Sequence, residues 1–313
     1  MNRALLDVLA TIDGWGAGHA AASVVGPDGP LATYGDPNHL YRWASVTKPV
    51  TGLTILVAAE RGLIDLDEAA GPPDSTVRHL LAHASGLPFE GDVPLSLPGR
   101  RRIYSNPGFD RLGELLATRA GVPFATVLAE TILAPLGMAS TELLERPSQG
   151  LRGPLADLEA FAGELLRPTL LSEQALATAT SVAFRGLPGV VPGVGRFDPC
   201  DWGLGVEIHD GKAPHWMGER LSPRAFGHFG GSGTFLWVDP EADVALVVLT
   251  DRDFGPWALQ VWPPFSDEVH AAVTASRSSR GVLLAPKPAP RPAAPSAAPP
   301  RIPDPPKIVS PDW

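Results

Sequence analysis

The chain carries two β-rich segments separated by a long stretch with helical patterning. Near the N-terminus, HAAASVV and PLATY flank Gly26-Pro27-Asp28-Gly29, a turn sequence between two strand-forming runs. Towards the other end, GTFLWVDPEADVALVVLTD holds two more runs around Asp239–Asp243, and WGLGVEIHDG upstream reads as a further strand. Between them, from about residue 75 to about 180, apolar residues recur at helical spacing in STVRHLLAHAS, GFDRLGELLATRAG, PFATVLAETILAPLG and PLADLEAFAGELLRP. Further helices are expected over about 3–13, from about Val46 to Arg61, and over about Pro264–Ala275. This order predicts an α/β (α+β) fold: an antiparallel sheet flanked by helices, with a helical region inserted in the middle. We expect one domain over 1–283, with an α/β part of about 1–66 and 196–277 and a helical region of about 67–195.

Composition shifts at Leu284, and eleven prolines fall between Pro286 and Trp313. Such a segment suits neither helix nor sheet and has little to bury, so 284–313 is expected to be a disordered or polyproline-II tail. Its Pro-x-x-Pro spacing would also suit contact with an unknown protein partner. A net charge of −9 argues against a nucleic-acid partner, because phosphate binding needs a basic face. In MNRALLDVLATIDGWG, Asp7 and Asp13 interrupt the apolar run that an export signal needs. No run reaches the length of a membrane span. The expectation is a soluble cytoplasmic protein, with export kept as an alternative.

Three short motifs carry chemistry. Ser45-Val46-Thr47-Lys48 places a hydroxyl and an amine one helical turn apart. Pro49 fits only in the first turn of a helix, which puts Ser45 at its N-terminus, as a nucleophile or as a cap. Tyr104-Ser105-Asn106 lies in a loop before a helix; a neighbouring ammonium would lower the phenol pKa, and Asn106 offers a donor and an acceptor. His228-Phe229-Gly230-Gly231 is expected to open a β-strand whose glycines let backbone approach a ligand.

In this order the motifs resemble those of the serine β-lactamase and penicillin-binding-protein superfamily. The chain looks most like its class C β-lactamase-related branch of esterases and D-peptidases. The similarity runs from about residue 10 to 275 and includes GLIDLDE, TVRHLLAHASGLP, ILAPLGM and GHFGGSGTFLWVDPEADVALVVLTDR. It implies a β-lactamase/transpeptidase-like fold and an acyl-enzyme on Ser45, with Lys48 and Tyr104 sharing the role of base. It also implies an oxyanion hole from the N–H groups of Ser45 and Gly231, with Asn106 holding the acyl side of the substrate or orienting Lys48. His228 and Gly230 fall on the substrate-binding strand. No cofactor is implied.

The chain departs from the penicillin-recognising pattern at His228-Phe229-Gly230, where that pattern has Lys-Thr-Gly. The fixed cation and the hydroxyl are both gone, which favours neutral esters or amides over anionic β-lactams. A D-aminopeptidase, a carboxypeptidase or a weak β-lactamase is the alternative, and a catalytically silent binding protein with this fold is another. The chain is also short between Pro147 and Asp201, so a more open cleft is expected. His79 and His83 have the spacing of two metal ligands on a helix but lack a third, so no metal is expected. Arg100-Arg101-Arg102 reads as a solvated charge run, and Cys200 as a packing or surface thiol.

Overall fold

The computed structural model describes residues 3–284. The Pro-rich segment after Leu284 lies outside the described residues. The chain opens with helix α1 (Arg3–Leu9) and a tight turn of helix to Trp15. Strands β1 (Ala20–Gly26) and β2 (Gly29–Tyr34) form the expected hairpin. Helices α2 (Thr47–Glu60), α3 (Asn106–Ala120) and α4 (Leu155–Leu166) dominate the middle. Strands β3 (Glu207–Ile208), β4 (Phe226–Gly230), β5 (Thr234–Asp239) and β6 (Val244–Thr250) follow, and helix α5 (Pro256–Leu284) ends the described chain. The sheet order is β2-β1-β6-β5-β4-β3, antiparallel throughout. At its centre Ala20 lies opposite Thr250 and Val25 opposite Ala245.

Both faces of this sheet are buried, which explains near-continuous apolar runs such as VALVVLT. Ala21, Val25, Leu236, Val247 and Leu249 pack against the helical region, including Leu53 of α2, Phe109 of α3 and Phe161 of α4. Their neighbours Ala22, Val24, Phe235, Trp237, Leu246 and Val248 face the other way, onto Leu5 and Leu9 of α1 and Trp262, Phe265 and Val269 of α5. The β5–β6 turn is held by Asp239, whose carboxylate accepts the N–H groups of Glu241 at 3.0 Å and Ala242 at 3.2 Å. Helix α2 is buried along nearly its whole length, so it is a core helix rather than an amphipathic one. Among the described residues, no single helix is long and apolar enough to cross a membrane.

Several elements differ from expectation. Helix α5 begins at Pro256, and Pro263 and Pro264 lie inside it rather than at its start. WGLGVEIHDG yields only β3 and a bridge from Trp202 to Glu207. Its glycines serve close approach instead: a Cβ on Gly203 would meet the Ala179 carbonyl at 2.2 Å, and Gly205 lies against Gly52 of α2. The inserted region is not purely helical. Tyr41–Arg42 pairs with Leu151–Gly153, and Arg102–Ile103 pairs in parallel with Gly189–Val191.

Arg100 and Arg101 are exposed as expected, but Arg102 is buried. Its guanidinium donates to the carbonyls of Cys200 at 3.1 Å, Ala82 at 2.7 Å and Phe184 at 3.0 Å, and also to that of Ala183. It thus ties the loop at Ala82 to the segments at Ala183–Phe184 and Cys200. Burial lowers its pKa to about 10, and Cys200 beside it is packed in the interior. Replacing Arg102 with Met leaves these buried carbonyls without donors, a loss of at least about 3 kcal/mol. A chemical denaturation midpoint equal to that of the wild type would contradict this role.

Candidate active site

The segment before α2 is built as a rigid ledge. Trp43 is buried, and its indole N–H donates to the Gly153 carbonyl at 3.0 Å. Its own carbonyl accepts the Thr234 hydroxyl at 2.9 Å. Ala44 then adopts a left-handed conformation with φ of 46°, uncommon for a residue with a Cβ. A single 3-10 turn, Ala44–Val46, leads into α2, with Pro49 in the first turn of that helix. Ser45 sits on this ledge, half-buried, and makes no helix-capping bond. The capping alternative is therefore not what the serine does here.

Lys48 lies below it, completely buried. Its Nζ contacts Asn106 Oδ1 at 2.6 Å, the Ser148 carbonyl at 2.9 Å and Ser45 Oγ at 3.3 Å. It also stands 4.6 Å over the Tyr104 ring. Desolvation draws its pKa down to about 7, against the opposing pull of Asp110 and Glu90. A neutral amine has two N–H bonds and one lone pair. The Asn106 and Ser148 oxygens can only accept, so they take the two N–H bonds. The lone pair is left for the Ser45 hydroxyl.

Tyr104 corrects an expectation. Burial pushes its phenol far above the usual range, although the Ser45 hydroxyl pulls the other way. The adjacent lysine does not lower it, because Lys48 has already lost its proton well below the pH at which a phenol titrates. The phenol therefore remains a proton donor. The Tyr104 hydroxyl is 3.5 Å from His228 Nε2, while His228 Nδ1 lies 2.7 Å from the Phe229 carbonyl. A carbonyl only accepts, so Nδ1 carries the proton and Nε2 accepts from the phenol. Burial, and then the nearby Lys48, lowers the His228 pKa to about 3, so the ring is neutral.

His228 and Phe229 lie at the end of β4, not at the start of a strand. Gly230 does not face the cavity. A Cβ there would meet the Trp43 carbonyl at 2.4 Å, so glycine is what allows β4 to support the ledge. Gly231 has open space around its Cα and does line the cavity. Ser45, Tyr104, Asn106, His228 and Gly231 thus share one cavity of about 550 Å³. A larger recess of about 800 Å³ around Leu63 and Arg119 holds none of them. Val191, Pro192 and Gly193 still wall the cavity, so the short 147–201 stretch has not removed that side. Past Arg42 and Gln149 the cavity continues into a second cleft of about 360 Å³.

Other residues here were not legible from sequence. Phe89, Trp202 and Phe254 join Phe229 in an aromatic wall. Glu90 accepts Asn106 Nδ2 at 2.7 Å and is itself held by Arg146 at 3.1 Å. Since Nδ2 must face Glu90, the amide oxygen must face Lys48. His79 and His83 do not share a helix face: the helix Val77–Leu81 ends before His83. His79 closes a capping box with Thr76, while His83 stacks on Tyr104 at 4.5 Å and accepts the Ser105 N–H.

The beta-lactamase family model matches residues 20–271. The chain belongs to the beta-lactamase family. A crystal structure described as a beta-lactamase from Mycobacterium bovis is 52% identical, covering 85% of this chain and 99% of its own, with a TM-score of 0.84. EstCE1, described as a hydrolase with promiscuous acyltransferase activity, shares the fold at 16% identity, with a TM-score of 0.70 over 87% of this chain and 97% of its own. Penicillin-binding protein 4* of Bacillus subtilis is 28% identical over 150 residues, 37% of this chain and 32% of that protein. The chain thus spans about a third of that curated relative. The expected β-lactamase/transpeptidase-like fold is the fold observed.

The burial of Lys48 and its three oxygen contacts make its protonation directly measurable. In protein carrying ¹³C-labelled lysine, the Lys48 ε-carbon is expected to titrate near pH 7, far below exposed lysines. Glu90→Gln removes a charge that favours the ammonium, so it should move this midpoint lower. An unchanged or higher midpoint would mean that Glu90 does not act on Lys48.

Proposed function

We propose that the chain is a hydrolase of neutral esters or amides bearing an apolar group, acting through an acyl-enzyme on Ser45. The observation that carries this reading is the buried Lys48 Nζ set 3.3 Å from Ser45 Oγ, with the acceptor oxygens of Asn106 and Ser148 at 2.6 Å and 2.9 Å to take the two N–H bonds of the neutral amine. Ser45 Oγ attacks the substrate carbonyl while its proton passes to Lys48 Nζ. The N–H groups of Ser45 and Gly231 receive the oxyanion, aided by the helix N-terminus. The tetrahedral intermediate expels the alkoxide or amine, which takes a proton from the Tyr104 phenol. Lys48 returns its proton to Tyr104, and water attacks the acyl-enzyme by the same route to release the acid.

Substrate class follows from the cavity wall. His228 is neutral where the penicillin-recognising pattern has lysine, and the charged groups along the rim are Arg42, Glu90 and Asp253. Such a rim has no net positive charge to attract the carboxylate of a β-lactam. The aromatic wall suits an apolar substituent. The name of EstCE1 is consistent with this chemistry on the same fold. A second reading is favoured by the exposed Asp253 carboxylate: an aminoacyl amide whose ammonium faces it.

A fluorophosphonate probe should label the wild type and not Ser45→Ala, and ester hydrolysis should fall about 10³-fold or more in that variant. Labelling that persists in Ser45→Ala would sink the assignment. A p-nitrophenyl butyrate assay should give much higher kcat/KM than nitrocefin, and the reverse order would defeat the ester reading. The base must be neutral, so kcat/KM should rise with pH through about 7 as the Lys48 ammonium deprotonates.

A further inference from the structure

Residues 88–101 carry an exposed apolar crest that reaches the active-site cavity at Phe89. Among the described residues, nine large apolar side chains are exposed, and four of them are Phe89, Val93, Leu95 and Leu97. Val93, Leu95 and Leu97 are 77%, 66% and 65% exposed. Four of nine within nine consecutive positions is a concentration, not the single scattered apolar residues that need no explanation. Phe89 joins it to the chemistry, since it lines the cavity with Ser45 and stacks on Tyr104 at 5.6 Å.

The backbone beneath the crest is fastened. The Leu95 N–H donates to the Gly86 carbonyl and the Gly99 N–H to the Ala84 carbonyl, both at 2.8 Å. The Asn106 N–H donates to the Phe89 carbonyl at 3.1 Å. Gly86 has a positive φ, and a Cβ there would meet the Ser96 carbonyl at 2.0 Å. The segment is therefore held in place while its apolar side chains point into solvent.

Arg100 and Arg101 follow directly, both exposed and without a carboxylate partner among the described residues. The acids of the same segment are engaged: Glu90 with Arg146 and Asp92 with Arg111. An apolar crest beside unpaired arginines is complementary to a surface with an apolar interior and anionic heads. The net charge of −9 opposes approach to such a surface at long range. At physiological salt, charge more than about 8 Å away is largely screened, so the local arginines dominate.

We propose that the crest docks the protein on an anionic phospholipid bilayer, with the cavity mouth facing the lipid. The docking does not depend on the hydrolase reading.

The test is flotation of the full chain with vesicles of phosphatidylcholine and phosphatidylglycerol in equal parts, beside pure phosphatidylcholine. The wild type and Ser45→Ala are expected to bind the mixed vesicles equally, and more weakly as salt rises. The triple variant Val93→Ser/Leu95→Ser/Leu97→Ser should lose about tenfold or more of this binding. Arg100→Gln/Arg101→Gln should reduce it to the level seen on pure phosphatidylcholine. The altered side chains are all exposed, and circular dichroism melts unchanged from the wild type show that folding is preserved. No vesicle binding, binding equal in wild type and triple variant, or equal binding to both lipids overturns the proposal. So does vesicle-free self-association abolished by the triple variant, which would assign the crest to a second copy of the chain.

Discussion

The site depends on one buried amine. Lys48 is wholly removed from water and meets three oxygens, two of which have no proton to give. An ammonium there bears a large desolvation cost, and the neutral form bears much less. The surrounding structure keeps that balance near neutrality: Glu90 and Asp110 favour the charged form, and Arg146 disfavours it. The amide of Asn106 and the aromatic floor of Tyr104 and Phe109 arrive together at the entry to α3, and the carbonyl of Ser148 arrives from a second segment. The helical region therefore does more than cover the sheet. It supplies the dry chamber that draws a lysine's pKa down to about 7.

The sheet supplies the other half. Gly230 brings β4 close to the carbonyl of Trp43, and Thr234 on β5 bonds to that same carbonyl. Through these contacts the strained residue Ala44 is held with the serine projecting into the cavity. Strain of this kind persists only where neighbours over-determine the backbone. Here the neighbours are two strands, an indole bound to Gly153 and the short ladder of Tyr41–Arg42 on Arg152–Gly153.

Much of this was readable in the sequence, and the rest has specific reasons for being hidden. The two hairpins, α2 and the grouping of Ser45, Lys48, Tyr104, Asn106, His228 and Gly231 follow from local patterning and motif order. Gly230 was visible as a glycine, but nothing local shows that it faces the ledge and not the cavity. Arg102 looked solvated because its neighbours are arginines; only the meeting of loops at 82, 184 and 200 buries it. Glu90 lies in PFEGDVP, where no local pattern points to the site, and its contact with Asn106 exists only after folding. Tyr104 shows the same limit in its chemistry, since a nearby lysine predicts a lowered pKa until burial is known.

The position of β1 has a consequence for how the chain is made. It lies between β2, its neighbour in sequence, and β6, whose residues are synthesised on the order of 200 positions later. Until Val244–Thr250 leaves the ribosome, the hairpin of Ala20–Tyr34 has a bare apolar edge and no sheet to join. The nascent chain must carry that edge through the whole synthesis of the helical region. Folding is therefore dominated by a late, long-range closure, and the interval before it is when the chain is most exposed to aggregation and most in need of a chaperone.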